Sequence, residues 1–178
     1  MNLPNSLTIL RILLIPFFIG FLLYEQYEYA LGTLLLAGLT DSLDGTIARV
    51  ANQRTRLGAY LDPLADKLLL TSAFVTLSVL HLVPLWIAII VVSRDTMLIA
   101  GTLLARLTEL RVDLSPTLLG KGTTLFQLVY IILVVVLVSR QMDLRLLQPL
   151  LYLMVSLTVL SGFHYLYRGY TRLSTSET

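Results

Sequence analysis

DSLDGTIARVANQRTRLGAYLDPLADK, residues 41–67, sets Asp41, Asp44, Asp62 and Asp66 into a 178-residue chain that is 56% apolar and only 13% charged. A soluble domain carries roughly 25% charged residues, and the mean hydropathy here is +0.81. The chain therefore reads as an integral membrane protein, and the four carboxylates become the feature to explain. On an insertion scale a central Asp costs about 2.5–3.5 kcal/mol, while a Leu or Ile returns about 0.3–0.6 kcal/mol. Aspartates facing lipid would offset what their helices gain by inserting, so they must face the bundle interior, water or a cation.

Their spacing supports an inward position. Asp41, Asp44, Gly45 and Ala48 fall at i, i+3, i+4 and i+7, and Gly58, Asp62 and Asp66 at i, i+4 and i+8. Each set is one stripe of a helix. The two helices are consecutive, antiparallel and joined by a short loop, so the stripes can face each other. At 1.5 Å per residue the carboxylates share one layer, roughly 7–14 Å inside the helix ends.

Working outward, a bilayer core takes about 20 apolar residues per helix. Six candidate spans follow, over 7–24, 29–50, 57–80, 83–106, 117–139 and 145–168. They are separated by YEQYE, ANQRTR, the break at Pro84, TELRVDLSP and SRQMDLR. No linker marks a second unit, so 1–178 is expected to be one all-α domain. The N-terminal run carries Arg11 inside it and lacks a small-x-small cleavage site before Glu25, and reads as a retained helix rather than a signal peptide. Positive charge orients the bundle. With both termini cytoplasmic, Arg49, Arg54, Arg56, Arg106, Arg111, Arg168 and Arg172 lie inside, against Arg140 and Arg145 outside.

Composition also closes several branches. There is no cysteine, hence no disulfide, thiolate metal site or cysteine nucleophile. A formal charge of +2 gives no reason to expect nucleic-acid binding. LLGKGTT lacks the first P-loop glycine, because Ser115 stands there. His81 and His164 stand alone, and Trp86 and the tyrosines near helix ends read as an aromatic belt.

Four converging carboxylates without matching cations would repel one another. Divalent ions resolve that conflict. An oxygen-only donor set selects Mg²⁺, Mn²⁺ or Ca²⁺ over zinc, and a pair of such ions suits displacement at phosphorus. The small residues Gly45, Ala48 and Gly58 leave room for a ligand, and Arg49 can hold phosphate bidentately. The blander alternative is close helix packing on small residues with aspartate–arginine pairs. An ion or proton transporter is the alternative from another functional class, although no second copy of the motif appears in residues 90–178.

The pattern Asp41, Asp44, Gly45, Ala48, Arg49, Gly58, Asp62, Asp66 resembles, with every gap intact, the signature of the CDP-alcohol phosphatidyltransferases. The likeness runs from LPNSLTILRI through LDPLADK and SRD to PTLLGKGTT and is weakest after about residue 130. It implies a six-helix fold, a homodimer, and a site open to the cytosolic interface. That interface belongs to the plasma membrane in a bacterium and to the inner mitochondrial membrane in a eukaryote. By the resemblance Asp41, Asp44, Asp62 and Asp66 would hold two Mg²⁺ or Mn²⁺ ions, with Asp66 also the general base for the acceptor hydroxyl. Gly45, Ala48, Arg49 and Gly58, with Asn5 and Thr8, would border the CDP part of CDP-diacylglycerol.

Two glycerol-acceptor branches compete for the chain. Glycerol 3-phosphate is the first choice, with Arg94, Arg106, Arg111 and Lys121 as an anion site. Phosphatidylglycerol, the acceptor of the cardiolipin-forming branch, is the alternative. It is favoured by SRDTMLIAG, where the other enzymes tend to carry Gly-Arg-Glu at 93–95, and by Thr123, where the glycerol-phosphate enzymes usually carry a second lysine. Arg94 and Asp95 are sequence neighbours, so the spacing predicts that they point apart and do not pair with each other. Asn5, Thr8 and Arg11 share a face of the first helix, where Arg11 is either a site residue or a snorkelling anchor. Lys67 is either a phosphate ligand or an interface anchor.

Overall fold

In a computed structural model, backbone is described for residues 3–50, 58–107 and 118–174, and side chains for 6–40, 64–101 and 119–167. The described residues form six long helices: α1 (Leu3–Leu23), α2 (Tyr27–Val50), α3 (Gly58–Val79), α4 (Leu85–Leu107), α5 (Leu118–Ser139) and α6 (Gln148–Ser174). A 3₁₀ turn, Leu144–Leu147, precedes α6, and no strand occurs among the described residues. The observed bounds fall within a few residues of the expected segments, apart from the longer end of α6.

Among the described residues, three stretches are long and apolar enough to cross a membrane: Ser6–Leu23, Leu119–Ser139 and Leu144–Tyr167. The other three helices carry the charged residues that raised the question, among them Asp41, Asp44, Asp62, Asp66, Lys67, Arg94 and Asp95. Outward faces are apolar too. Leu13, Phe17, Leu39, Ile89, Leu125 and Phe163 are each more than half exposed. Water would penalise such a surface over this many residues, whereas hydrocarbon does not. The chain is an integral membrane protein.

Neighbour relations among the helices form a ring: α1 packs on α2, α2 on α5, α5 on α6, α6 on α4, α4 on α3 and α3 back on α1. A further contact between α3 and α5 crosses the ring, and there Phe74 and Tyr130 stack with centroids 6.3 Å apart. The buried stripes follow the helical period: Phe18 and Leu22 on α1, Leu70, Phe74 and Leu77 on α3, Ile87 and Val91 on α4, and Leu151 and Met154 on α6.

One end of the bundle is closed by three copies of the same turn. At the ends of α1, α3 and α5 the N–H of Gln26, Leu82 and Met142 reaches back to the carbonyl of Phe21, Leu77 and Leu137, at 2.8, 2.9 and 2.8 Å. The preceding residue in each case, Glu25, His81 or Gln141, has φ of 59°, 57° or 53°. These are Schellman turns with a non-glycine residue in the left-handed position where glycine is usual. Tyr24, Tyr29 and Trp86 are exposed beside them, as an interfacial belt requires. The aspartate-bearing ends of α2 and α3 lie at the opposite end of the bundle.

Candidate active site

Toward that opposite end the interior changes chemistry while keeping its stripes. On α1 the stripe Ile15, Phe18, Leu22 continues back as Thr8 and Arg11, both fully buried. On α6 Leu151 and Met154 give way to Thr158 and Ser161, and on α5 Ile131 gives way to Gln127 and Thr123. On α4 Ile87, Ala88 and Val91 lead to Arg94 and Asp95. A polar layer thus crosses several helices where an apolar core would otherwise run on.

Of the expected site residues, Asp41, Asp44, Gly45, Ala48 and Arg49 lie along the last turns of α2, and Gly58, Asp62 and Asp66 along the first turns of α3. Both carrier helices pack against α1 and against α5. Asp66 is half-buried; the side chains of the other residues in this set, like those of Asn5 and Arg106, lie outside the described residues, as does Arg111 altogether. Lys121 is exposed in the first turn of α5. Arg11 is fully buried, so it is not a snorkelling anchor, for which the head group would reach the interface.

The best-defined part of the layer is a charge cluster between α3, α4 and α6. Asp95 Oδ1 accepts from Lys67 Nζ at 2.8 Å and from Arg94 Nη1 at 2.8 Å. Arg94 Nη2 donates to Ser161 Oγ at 2.7 Å. Arg94 and Asp95 are 6% and 2% exposed. The expectation that these neighbours do not pair is therefore corrected. Adjacent residues diverge by about 100° on a helix, but the buried stripe of α4 is wide enough to hold two adjacent positions, as Ile87 and Ala88 demonstrate one step earlier. Once both are inside, the long guanidinium can fold back onto the carboxylate. Lys67, read as a phosphate ligand or an anchor, is engaged by Asp95. Sequence reasoning also missed Ser161, because a lone serine in an apolar helix carries no signal until its neighbour is known.

Thr123 Oγ1 donates to Leu119 O at 2.8 Å and lies 3.3 Å from Leu157 O of α6. Gln127 Nε2 reaches Thr158 Oγ1 at 3.4 Å, and Thr158 Oγ1 donates to Met154 O at 2.8 Å. Thr123, one of the positions weighed for the choice of acceptor, thus sits buried in the α5–α6 seam rather than on an open surface.

The donor set suits a hard divalent cation. The candidate ligands on α2 and α3 are carboxylates only, and the cation next to them in sequence, Lys67, is held by Asp95 on another helix. Oxygen donors with a lysine drawn aside can accept Mg²⁺ or Mn²⁺; they offer nothing to a soft ion.

Comparison with known proteins adds a family to this geometry. The family model described as CDP-alcohol phosphatidyltransferase matches residues 1–160. The human protein named cardiolipin synthase (CMP-forming) is 40% identical over 147 residues, covering 73% of this chain and 48% of its own length. A protein of Aquifex aeolicus named CDP-diacylglycerol–glycerol-3-phosphate 3-phosphatidyltransferase is 40% identical over 131 residues, covering 71% of each. Its namesake in Haemophilus influenzae is 47% identical over 105 residues, 56% of each. The chain spans about half the length of the first curated relatives it matches. The match is to an enzyme family, which displaces the transporter reading.

Proposed function

Because this chain belongs to the CDP-alcohol phosphatidyltransferase family, whose members are generally dependent on divalent metal, we propose that it moves the phosphatidyl group of CDP-diacylglycerol to a glycerol-type hydroxyl and releases CMP. The observation that carries the reading is the set of four aspartates in two helical registers on α2 and α3, inside the matched region.

The residues divide the work as follows. Asp41, Asp44, Asp62 and Asp66 hold the metal, two ions per site, which when bound neutralises charge developing at the diphosphate. Arg49 binds the diphosphate, while Gly45, Ala48 and Gly58 let the nucleotide approach the backbone, with Asn5 and Thr8 at its edge. Asp66 takes the proton from the acceptor hydroxyl, whose oxygen attacks the lipid-side phosphorus as the bond to CMP breaks. Arg106, Arg111 and Lys121 draw in the anionic acceptor. Arg94 joins them through the polar layer, bound as it is to Asp95 and Ser161.

Glycerol 3-phosphate is the proposed acceptor, in keeping with the Aquifex aeolicus relative that matches over equal shares of both chains. Phosphatidylglycerol is the second reading, and a specific observation favours it: Thr123, where a second lysine would serve a phosphate monoester, is a buried helix–helix tie. Residues 1–178 act as one domain of six spans, with both termini and the active site on the cytoplasmic side, and two copies associate as a homodimer.

The full chain, purified in detergent and given CDP-diacylglycerol with Mg²⁺ or Mn²⁺, should release CMP when glycerol 3-phosphate is added and form phosphatidylglycerophosphate. Asp44→Ala should lower the rate by about 10³, the equivalent of the several kcal/mol that a metal contributes. CMP release with phosphatidylglycerol alone would install the second reading. Release with neither acceptor would remove both.

A further inference from the structure

Within the cluster of Lys67, Asp95, Arg94 and Ser161, only Arg94 has a part in the proposed reaction, and the hydrogen bonding around Asp95 is lopsided. One carboxylate oxygen, Asp95 Oδ1, serves two cations. Asp95 Oδ2 and Arg94 Nε, both buried, have no hydrogen-bond partner among the described residues. A cluster built simply to satisfy its members would use both carboxylate oxygens, as a bidentate pair does. What the geometry achieves instead is to draw the Lys67 ammonium onto α4, with its side chain 17% exposed.

Lys67 directly follows Asp66. Neighbouring helical residues do not ordinarily meet, yet Arg94 bonds its own neighbour Asp95 at 2.8 Å in this molecule, so a long cationic side chain can close that gap here. A lysine released from Asp95 would stand next to Asp66, one of the proposed metal ligands, and carboxylates that attract a divalent cation attract an ammonium as well. An ammonium among those oxygens competes with a metal ion for the same lone pairs.

We propose that Asp95 is a positioning residue that holds Lys67 against α4 and so keeps the lysine ammonium out of the divalent-cation site on α2 and α3. This rests on the metal-binding reading of Asp41, Asp44, Asp62 and Asp66. Asp95 acts through Lys67 and touches neither metal nor substrate. Replacing it should therefore harm metal binding only while Lys67 is present.

Mn²⁺ affinity of the full chain in micelles, read from the electron paramagnetic resonance signal of free Mn²⁺, tests this without reference to turnover. Asp95→Asn should weaken Mn²⁺ binding about tenfold, Lys67→Met should bind at least as tightly as the parent, and the double variant should return to within about threefold of the parent. A double variant as weak as Asp95→Asn would mean that Asp95 acts through packing and would overturn the proposal. So would an Asp95→Asn protein that binds Mn²⁺ like the parent. If Asp95→Asn does not fold, Lys67→Met decides alone, since weaker binding there would make Lys67 a support of the site rather than its competitor. Failure of the underlying reading looks different: the parent would bind no Mn²⁺ that Asp44→Ala removes.

Discussion

In the half of the interior nearest the α1–α2 turn, Phe18, Leu22, Phe74, Leu77, Ile87, Val91 and Met154 fill the space between helices, whereas in the half nearest the aspartates the same stripes carry Arg11, Arg94, Asp95, Gln127, Thr158 and Ser161. The period of the stripe is unchanged; only its chemistry differs. In lipid the apolar half gains little from burial as such, because hydrocarbon is as apolar as leucine, and holds together by close packing. The polar half is held by hydrogen bonds and charge pairs whose members have no alternative partner in hydrocarbon. The first half should therefore tolerate changes of shape, and the second should not tolerate loss of a partner.

The comparison breaks most visibly at Asp95. Asp95→Ala leaves Lys67 and Arg94 without the oxygen that both use, and removing one member of a buried pair costs about 3–5 kcal/mol. The expected result is a large drop in the thermal midpoint in micelles. Replacing Arg94 and Asp95 together by Met and Leu should cost less than Asp95→Ala alone, because no unpaired charge remains on α4. A similar loss in the two proteins would deny that charge sets the difference between the halves.

In the apolar half Phe74→Leu removes the ring stacked on Tyr130 and should cost about 1 kcal/mol. A loss as large as that of Asp95→Ala would erase the contrast. The smallest effect belongs to the end turns. Gln141→Gly relieves a left-handed residue at φ 53°, a gain of roughly 1–2 kcal/mol offset in part by the greater freedom of glycine in the unfolded chain. A net stabilisation of about 0.5 kcal/mol should appear as a slight rise in the same midpoint. A fall would assign the Gln141 side chain a contact that outweighs its backbone strain.

Helix number and extent were legible because apolar run length and breaks such as Pro84 act locally. That the four aspartates stand on the helical ends of α2 and α3 was legible for the same reason: position along one helix is a property of the sequence. Partners were not. That Asp95 of α4 binds Lys67 of α3, and Arg94 binds Ser161 of α6, depends on the ring order of the helices, which periodicity cannot supply because it names a face and not what lies against it. The rule that adjacent residues diverge failed at Arg94 and Asp95 because it describes a narrow stripe, and α4 buries a wide one. The end turns were hidden for another reason. Glu25, His81 and Gln141 occupy positions where glycine would have announced a left-handed cap.

The ring order also constrains how the molecule is made. Synthesis proceeds from the N-terminus, so α2 and α3, with their carboxylates, leave the ribosome before α5, which begins at Leu118 and packs on both. During that interval α1, which contacts both of them in the finished bundle, is already present, and α4 follows to pack on α3. The order of the helices along the chain thus gives the aspartate-bearing helices a packing partner, α1, before the wall formed by α5 has been translated.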